Sequence, residues 1–501
     1  MRPPTTTRGR VVGDPAPLVA TPARVPRDRD GRVDLDACVA ALGAVDVLDS
    51  GDGRGWSYLL PHGRWRLVDD GARTRLEADG HAVRDLGADP FLALERVAEQ
   101  VGAHPEAEPE PDLPPVSGGL VGALAYDLNR RVERLPDTAV ADRDTAHLSL
   151  RVVEVVCALP PARDHALLLV RPLPTALHPA GNPRDRAATL LAAATDRLAR
   201  AAGVHPGTGG LALPPPRPQP AWTSLPRERH LAAIEQVLAA IGAGAVFQVN
   251  LAQRLSARWE ADVHALYRAL RAASPAAFGA VLPDVGVASI SPETFLAVDR
   301  RHVVTRPIKG TRPRAGDAAL DAALADDLAT ATKDRAENVM VVDLERNDLG
   351  RVCTPGSIQV PELARVEGHP TVWHLVSTVS GELAPGTGYG QLLRATFPCG
   401  SITGAPKVAA MGLIETLEGV RRGMYCGALG ALSPGHARLS VAIRTAVLHP
   451  DRTVDHGAGG GIVADSDPVE EHAETLDKAA AFLRAVAATH VIPHPAAGEP
   501  R

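Results

Sequence analysis

Val246-Phe247-Gln248-Val249-Asn250-Leu251 reads as a β-strand. A helix stands before it. From near Arg227, Leu231, Ile234, Leu238 and Ile241 fall on one helical face, and Gly242 and Gly244 can end that helix. Gly286-Val287-Ala288-Ser289-Ile290 and the region around Val303-Val304 read as further strands. The pattern from Ala318 to Leu344 is helical. Pro468 to Ala487 is a second helical stretch, with proline at its entry, where a missing N–H costs nothing. Strands and helices alternate irregularly, which points to an α/β or α+β protein and away from a helical bundle.

The chain has 501 residues, 45% of them hydrophobic, enough for a large core and for about three domains. Its net charge of −6 lacks the concentrated basic surface of a nucleic-acid binder. No uninterrupted apolar run of about 18 residues is present, so no membrane span is expected. The first 30 residues lack an apolar signal-peptide segment. Five scattered cysteines (Cys38, Cys157, Cys353, Cys399, Cys426) show no C-x-x-C and no metal-ligand spacing, as expected of reduced thiols in a cytoplasmic protein. Proline-rich stretches run from His104 to Val116 and from Pro206 to Pro220. The second suggests a division into an N-terminal region (1–205), a linker (206–225), a motif-dense region (226–490) and a tail (491–501).

Lys309 lies in Arg306-Pro307-Ile308-Lys309-Gly310-Thr311-Arg312-Pro313-Arg314, which reads as a short turn bounded by Pro and Gly. A lysine there is either a nucleophile, if kept neutral, or a loop residue holding a backbone carbonyl. Asp334 and Glu337 are three apart on the first helical stretch, Glu471 and Glu474 three apart on the second. Side chains at i and i+3 share a face, so each helix can present two carboxylates in one direction. Either these are solvated faces, with Glu474 and Lys478 an ordinary ion pair, or the faces meet and a hard cation such as Mg²⁺ relieves the repulsion. Gly400 to Lys407 lacks the Gly-Lys-Ser/Thr ending of a phosphate loop, and Gly457 to Gly461 fails the dinucleotide fingerprint at Ile462.

These segments, with Val342-Asp343-Leu344-Glu345-Arg346-Asn347-Asp348-Leu349-Gly350 and Gly459-Gly460-Gly461-Ile462-Val463-Ala464-Asp465-Ser466, resemble the chorismate-utilising enzyme family. The resemblance is specific over most of 225–490 and looser over about 40–135. It implies an α+β (α/β sandwich) fold, two facing β-sheets with helices packed outside. It implies Mg²⁺ between Glu337 and Glu474, with Asp334 and Glu471 touching the metal directly or through water. Arg444 and Tyr425 match residues holding a substrate carboxylate. Gly459 and Gly461 match glycines that admit the substrate to the backbone, Lys478 a lysine near the ring carboxylate, and Thr311 a substrate-contacting threonine. Glu293 matches the acid that protonates the departing 4-hydroxyl, a poor leaving group without one. His374 matches a histidine beside the ring.

Gln248 stands where water-adding members have a basic lysine, which disfavours isochorismate and salicylate synthesis and leaves ammonia as the nucleophile. Lys309 resembles the aminodeoxychorismate synthase branch, where the anthranilate synthase branch has alanine. The implied reaction makes 4-amino-4-deoxychorismate from chorismate and ammonia. No glutaminase nucleophile is recognisable, so a separate glutamine amidotransferase subunit is the expected partner. Val47-Leu48-Asp49-Ser50-Gly51 resembles a tryptophan-pocket segment, which makes Ser50 a candidate contact for bound tryptophan, and Ser117-Gly118-Gly119 and Tyr126-Asp127 resemble N-terminal family motifs. The alternatives are an anthranilate or 2-amino-2-deoxyisochorismate synthase, and a non-catalytic tryptophan-binding paralogue.

Overall fold

The computed structural model describes residues 18–174, 177, 182–203 and 217–494. Within them, the strand begun by the opening motif runs over Gln248–Arg258 and pairs antiparallel with Thr453–Ile462 along ten residues. It is longer than its apolar start suggests. Gln253 and Ser256 are buried but hydrogen-bonded, to Thr223 and Thr475 and to Asp455, so polar residues continue a core strand. This pair sits in a 13-stranded sheet, and a 12-stranded sheet forms the second layer. Nearly all pairings are antiparallel; Gln219–Thr223 beside Ala488–Pro493 is a parallel one. The fold is α+β, as the resemblance implied.

Both sheets draw strands from either side of the proline-rich segment. Val45–Asp49 pairs with Phe278–Leu282 in one, Gly119–Leu124 with Ala428–Ser433 in the other. Residues 206–216 of the expected linker lie outside the described residues, and its end, Gln219–Thr223, is a sheet strand. A large apolar core includes Phe91, Leu124, Phe295, Val379 and Leu439. Burial of such side chains is worth about 1.5–3 kcal/mol each and dominates the drive to this layered arrangement. Among the described residues no helix is long and apolar enough to cross a membrane.

Two local expectations are corrected. The helix expected over Ala318–Leu344 is two, Ala318–Thr330 and Thr332–Gly350, broken where Ala331 is extended (φ −62°, ψ 103°). The Thr330 hydroxyl bonds back to the Asp326 carbonyl at 2.9 Å, a local competitor of helix continuation. The turn expected at Lys309 is a strand, Ile308–Pro313, paired with Val372–Glu382. Its register shifts between Ile308 and Thr311, where Gly310 takes φ +81°. The segment keeps its sheet hydrogen bonds by bulging there, and a glycine makes that backbone affordable.

Candidate active site

Helix Pro468–Ala485 lies against strand Thr453–Ile462 of one sheet, and helix Thr332–Gly350 against strand Val372–Glu382 of the other. Their acidic faces meet. Lys333 donates to Glu471 Oε1 at 3.1 Å across the helix pair. The same ammonium is held in the charged state by Glu471, Glu337 and Glu474 together, against the cost of its burial. Glu337 approaches Lys309, with Oε2 3.9 Å from Nζ. Burial raises the Glu337 carboxyl, and Lys309 and Lys333 pull it back. At exposed Glu474, burial of part of the side chain is outweighed by Lys478, 2.7 Å away, and the carboxyl is lowered. Gly460 makes room for this pair of acids: a Cβ there would stand 2.9 Å from Glu471 Oε2 and 3.9 Å from Glu474 Oε1.

The donor set suits a hard cation. Glu337, Glu471 and Glu474 offer only carboxylate oxygens, and the intervening charges are lysine ammoniums that a divalent ion could replace. No group of three lies within common ligating distance among the described residues, and each of these carboxylates faces a lysine: Glu337 Lys309, Glu471 Lys333 and Glu474 Lys478. Asp334 faces elsewhere: Arg312 takes it at 3.2 Å, under the Gly310 bulge.

The floor of the site is buried. Gln248 is 2% exposed, and its Nε2 would lie 2.3 Å from a Cβ on Gly461; Lys309 Nζ would lie 3.3 Å from the same point. Gly461 thus lets the amide and the amine approach one stretch of backbone. Lys478 donates to the Gly459 carbonyl at 2.9 Å, so this lysine braces the glycine strand as well as pairing with Glu474. Glu293, 3% exposed, sits between strands Val287–Ser291 and Thr294–Asp299. Burial pushes its carboxyl up to about 7, with Glu345 adding to the rise and Ser401 and Lys309 opposing it. A carboxyl so placed keeps its proton near neutrality, as a general acid must. Its Oε1 has no hydrogen-bond partner among the described residues.

Thr311 and His374 meet at 2.9 Å between Oγ1 and Nδ1. Burial first, then nearby Arg444, pushes His374 down to about 3, so the ring is neutral at physiological pH. Arg444 takes φ +48° before strand Thr445–Leu448, and its guanidinium has no carboxylate partner among the described residues. An unpaired, largely buried arginine fork is suited to an external carboxylate. Tyr425 packs over Gly457 of the glycine strand, where a Cβ would stand 2.1 Å from its ring, and lines a cavity of about 40 Å³ with Glu418, Arg422 and Gly457. Ser50 belongs to another region, where its Oγ accepts from Gly55 N–H at 2.8 Å and donates to Asp52.

Residues 59–484 match the family model described as chorismate binding enzyme. The chain belongs to that family. Aminodeoxychorismate synthase component 1 of Salmonella typhimurium is 41% identical over 394 residues, covering 78% of this chain and 81% of that one. Anthranilate synthase component 1 of Mycobacterium tuberculosis is 37% identical over 476 residues, covering 90% and 89%. The crystal structure of anthranilate synthase component I from Streptococcus pneumoniae superimposes with a TM-score of 0.71 at 28% identity, covering 85% of this chain and 91% of that one. The protein is therefore a chorismate-binding enzyme by family.

Sequence reasoning missed Lys333, Ser401 and Glu345. Lys333 adjoins Asp334 and could have been noticed as the counter-charge of the acidic pairs. Glu345 is eight residues beyond Glu337, two helical turns along the same face. Ser401 lies in the Gly400–Lys407 segment that carries the resemblance, but its place near Glu293 comes only through the fold.

Proposed function

We propose that this chain is an aminodeoxychorismate synthase component 1, making 4-amino-4-deoxychorismate from chorismate and ammonia on the route to 4-aminobenzoate and folate. The observation that carries this reading is the placement of the Lys309 amine, beside Gln248 and Gly461, within electrostatic reach of the buried Glu293 acid. Arg444 would grip one substrate carboxylate, and Thr311 and neutral His374 would line the ring. Lys309 adds at C2 as the 4-hydroxyl leaves, and Glu293 gives that oxygen its proton, so water departs. Ammonia then adds at C4 and expels the Lys309 amine, and the new ammonium nitrogen returns a proton to Glu293. A bound Mg²⁺ would supply positive charge for a substrate carboxylate, with Glu337, Glu471 and Glu474 as the residues to hold it. Tyr425 is assigned to substrate binding as the partner of Arg444, and Ser50 to a tryptophan pocket.

The name "component 1" of the Salmonella relative supports a partner component. Given the ammonia requirement, that partner is a glutamine amidotransferase. The five described thiols are all free and buried, as suits a cytoplasmic enzyme. Anthranilate synthesis is the second reading, favoured by the long match to the mycobacterial relative.

Product identification separates the two. Purified chain with chorismate, Mg²⁺ and an ammonium salt should yield 4-amino-4-deoxychorismate by chromatography and mass. Anthranilate as the sole product would overturn the assignment. Lys309→Ala should abolish the 4-amino product, and its formation at the full rate would remove the covalent role of Lys309.

A further inference from the structure

One edge of strand Gln248–Arg258 is covered by Thr453–Ile462. The other edge is shared by two short partners. Gly404–Ala405 pairs at Gln248 and Val249, and Gln219–Thr223 pairs at Leu255 and Ser256. Among the described residues no strand pairs with the stretch between them. A side-chain pair fills that gap. Arg422 Nη2 donates to the Asn250 carbonyl at 2.6 Å, and Ala252 N–H donates to Glu418 Oε1 at 2.9 Å. The two side chains are locked together, Nε to Oε2 at 2.9 Å and Nη2 to Oε1 at 2.6 Å. Arg422 Nη1 also donates to the Ile402 carbonyl at 3.0 Å. The arginine and glutamate side chains are only 3% and 6% exposed.

The same guanidinium meets two aromatic faces. Its central carbon lies 4.7 Å from the ring centre of Tyr126 and 5.6 Å from that of Tyr425, within reach of the attraction between a cation and a ring face. Tyr425 is confined again by Gly457, where a Cβ would stand 2.1 Å from the ring. Its backbone is tied to the Arg444 segment: Cys426 N–H donates to the Ala442 carbonyl at 2.9 Å, and Ala442 N–H to the Gly427 carbonyl at 2.8 Å.

We propose that Arg422, held by Glu418, is a positioning residue for substrate binding. It fixes the Tyr425 phenol relative to Arg444 and joins the strand of Gln248 to the Gly400–Ile402 loop. The inference rests on Tyr425 being the substrate-carboxylate contact of the proposed reaction. Stability alone does not call for such a pair, since apolar residues of similar volume often replace a buried ion pair without loss. Apolar residues could not hold the carbonyls of two segments and a ring face at once. Arginine can, because its planar fork bonds in several directions while its flat face stacks. A phenol held in place before chorismate arrives loses little freedom on binding, which strengthens affinity without touching the chemical step.

The test measures the chorismate Kd by calorimetry, with Mg²⁺ and without ammonia, and kcat with an ammonium salt. The variants are Arg422→Lys, Tyr425→Phe and the two combined. The lysine keeps the charge beside Glu418 but lacks the fork and the flat face. Arg422→Lys should raise Kd about tenfold, on the scale of a partly desolvated cation–ring contact, with kcat held within about twofold. Tyr425→Phe should raise Kd at least as much. Adding Arg422→Lys to it should change nothing further, since the phenol that Arg422 aims is gone. A purely structural role would lower the folded fraction and kcat together and leave Kd alone, and that result would overturn the inference. So would additive effects on Kd, because Arg422 would then act elsewhere than through Tyr425. Should Arg422→Lys fold poorly, Tyr126→Leu decides by the same cycle, since it removes one ring from the guanidinium without breaking the ion pair. It should raise Kd about threefold beside Tyr425 and leave it unchanged in the Tyr425→Phe background. A normal Kd in Tyr425→Phe would remove the Tyr425 assignment and this inference with it. A wild type that fails to bind chorismate would overturn the proposed function itself.

Discussion

The two ends of helix Thr332–Gly350 treat acidic side chains in opposite ways. Glu337, Glu345 and Asp348 lie on one face, at spacings of eight and three residues. At the first end, Glu337 is partly open, and the lysines near it, Lys309 and Lys333, are shared with other carboxylates. At the far end, Glu345 and Asp348 are sealed in the protein. Glu345 Oε1 accepts from Gly400 N–H and the Cys399 thiol, and Asp348 is held by Lys407, whose ammonium also reaches the Thr396 and Pro398 carbonyls. Charge that is closed off by fixed partners orders the loop beneath the site. Charge left in excess at a mouth stays available to a cation or a substrate. The contrast is one of solvent access and partner number, and it arises without any change in side-chain chemistry.

The sealed end should break hardest. Asp348→Asn leaves the Lys407 charge buried without its anion. Loss of one partner of a buried ion pair costs about 3–5 kcal/mol, which urea unfolding would measure. The Mg²⁺ concentration needed for half-maximal activity should stay near wild type in this variant; a large change there would merge the two ends into one unit. At the open end, Glu337→Gln or Glu474→Gln should raise that Mg²⁺ requirement by about 10–100-fold, on the scale of changes that tune metal sites. Metal titration of activity checks this, and an unaltered requirement would remove these glutamates from the metal set. The smallest effect is expected from Lys333→Met. Its half-exposed ammonium competes for Glu471, so its loss should tighten Mg²⁺ binding about two- to fivefold, modest because solvent screens the pair. Weaker binding in this variant would make Lys333 a support of the site instead of a stand-in for the cation.

Much of the fold was legible from local pattern. Helix Arg227–Gly242, the strand at Val287–Ser291 and helix Pro468–Ala485 follow from apolar periodicity and proline or glycine punctuation. The break at Ala331 was not legible, because alanine favours helix and only the Thr330 back-bond and the packing of two segments decide against it. The strand at Lys309 was hidden for the same reason. Pro and Gly advertise a turn, whereas pairing with Val372–Glu382 converts the segment into a bulged edge.

The sequence by itself determined the chemical inventory: two acidic pairs at helical spacing, a lysine beside glycine, an arginine for a carboxylate, and the motifs that mark the family. These are properties of residue type and short-range spacing, which the chain carries before it folds. Only the tertiary structure decided which of those groups act together. It set Lys309 against Glu337 and Gln248, turned Asp334 to Arg312, placed Ser50 in a turn with Asp52 and Gly55, and buried Glu293 beside Ser401. The reason is physical. Proton affinity and ion pairing depend on distance and on exclusion of water, and both are fixed by contacts between segments tens to hundreds of residues apart.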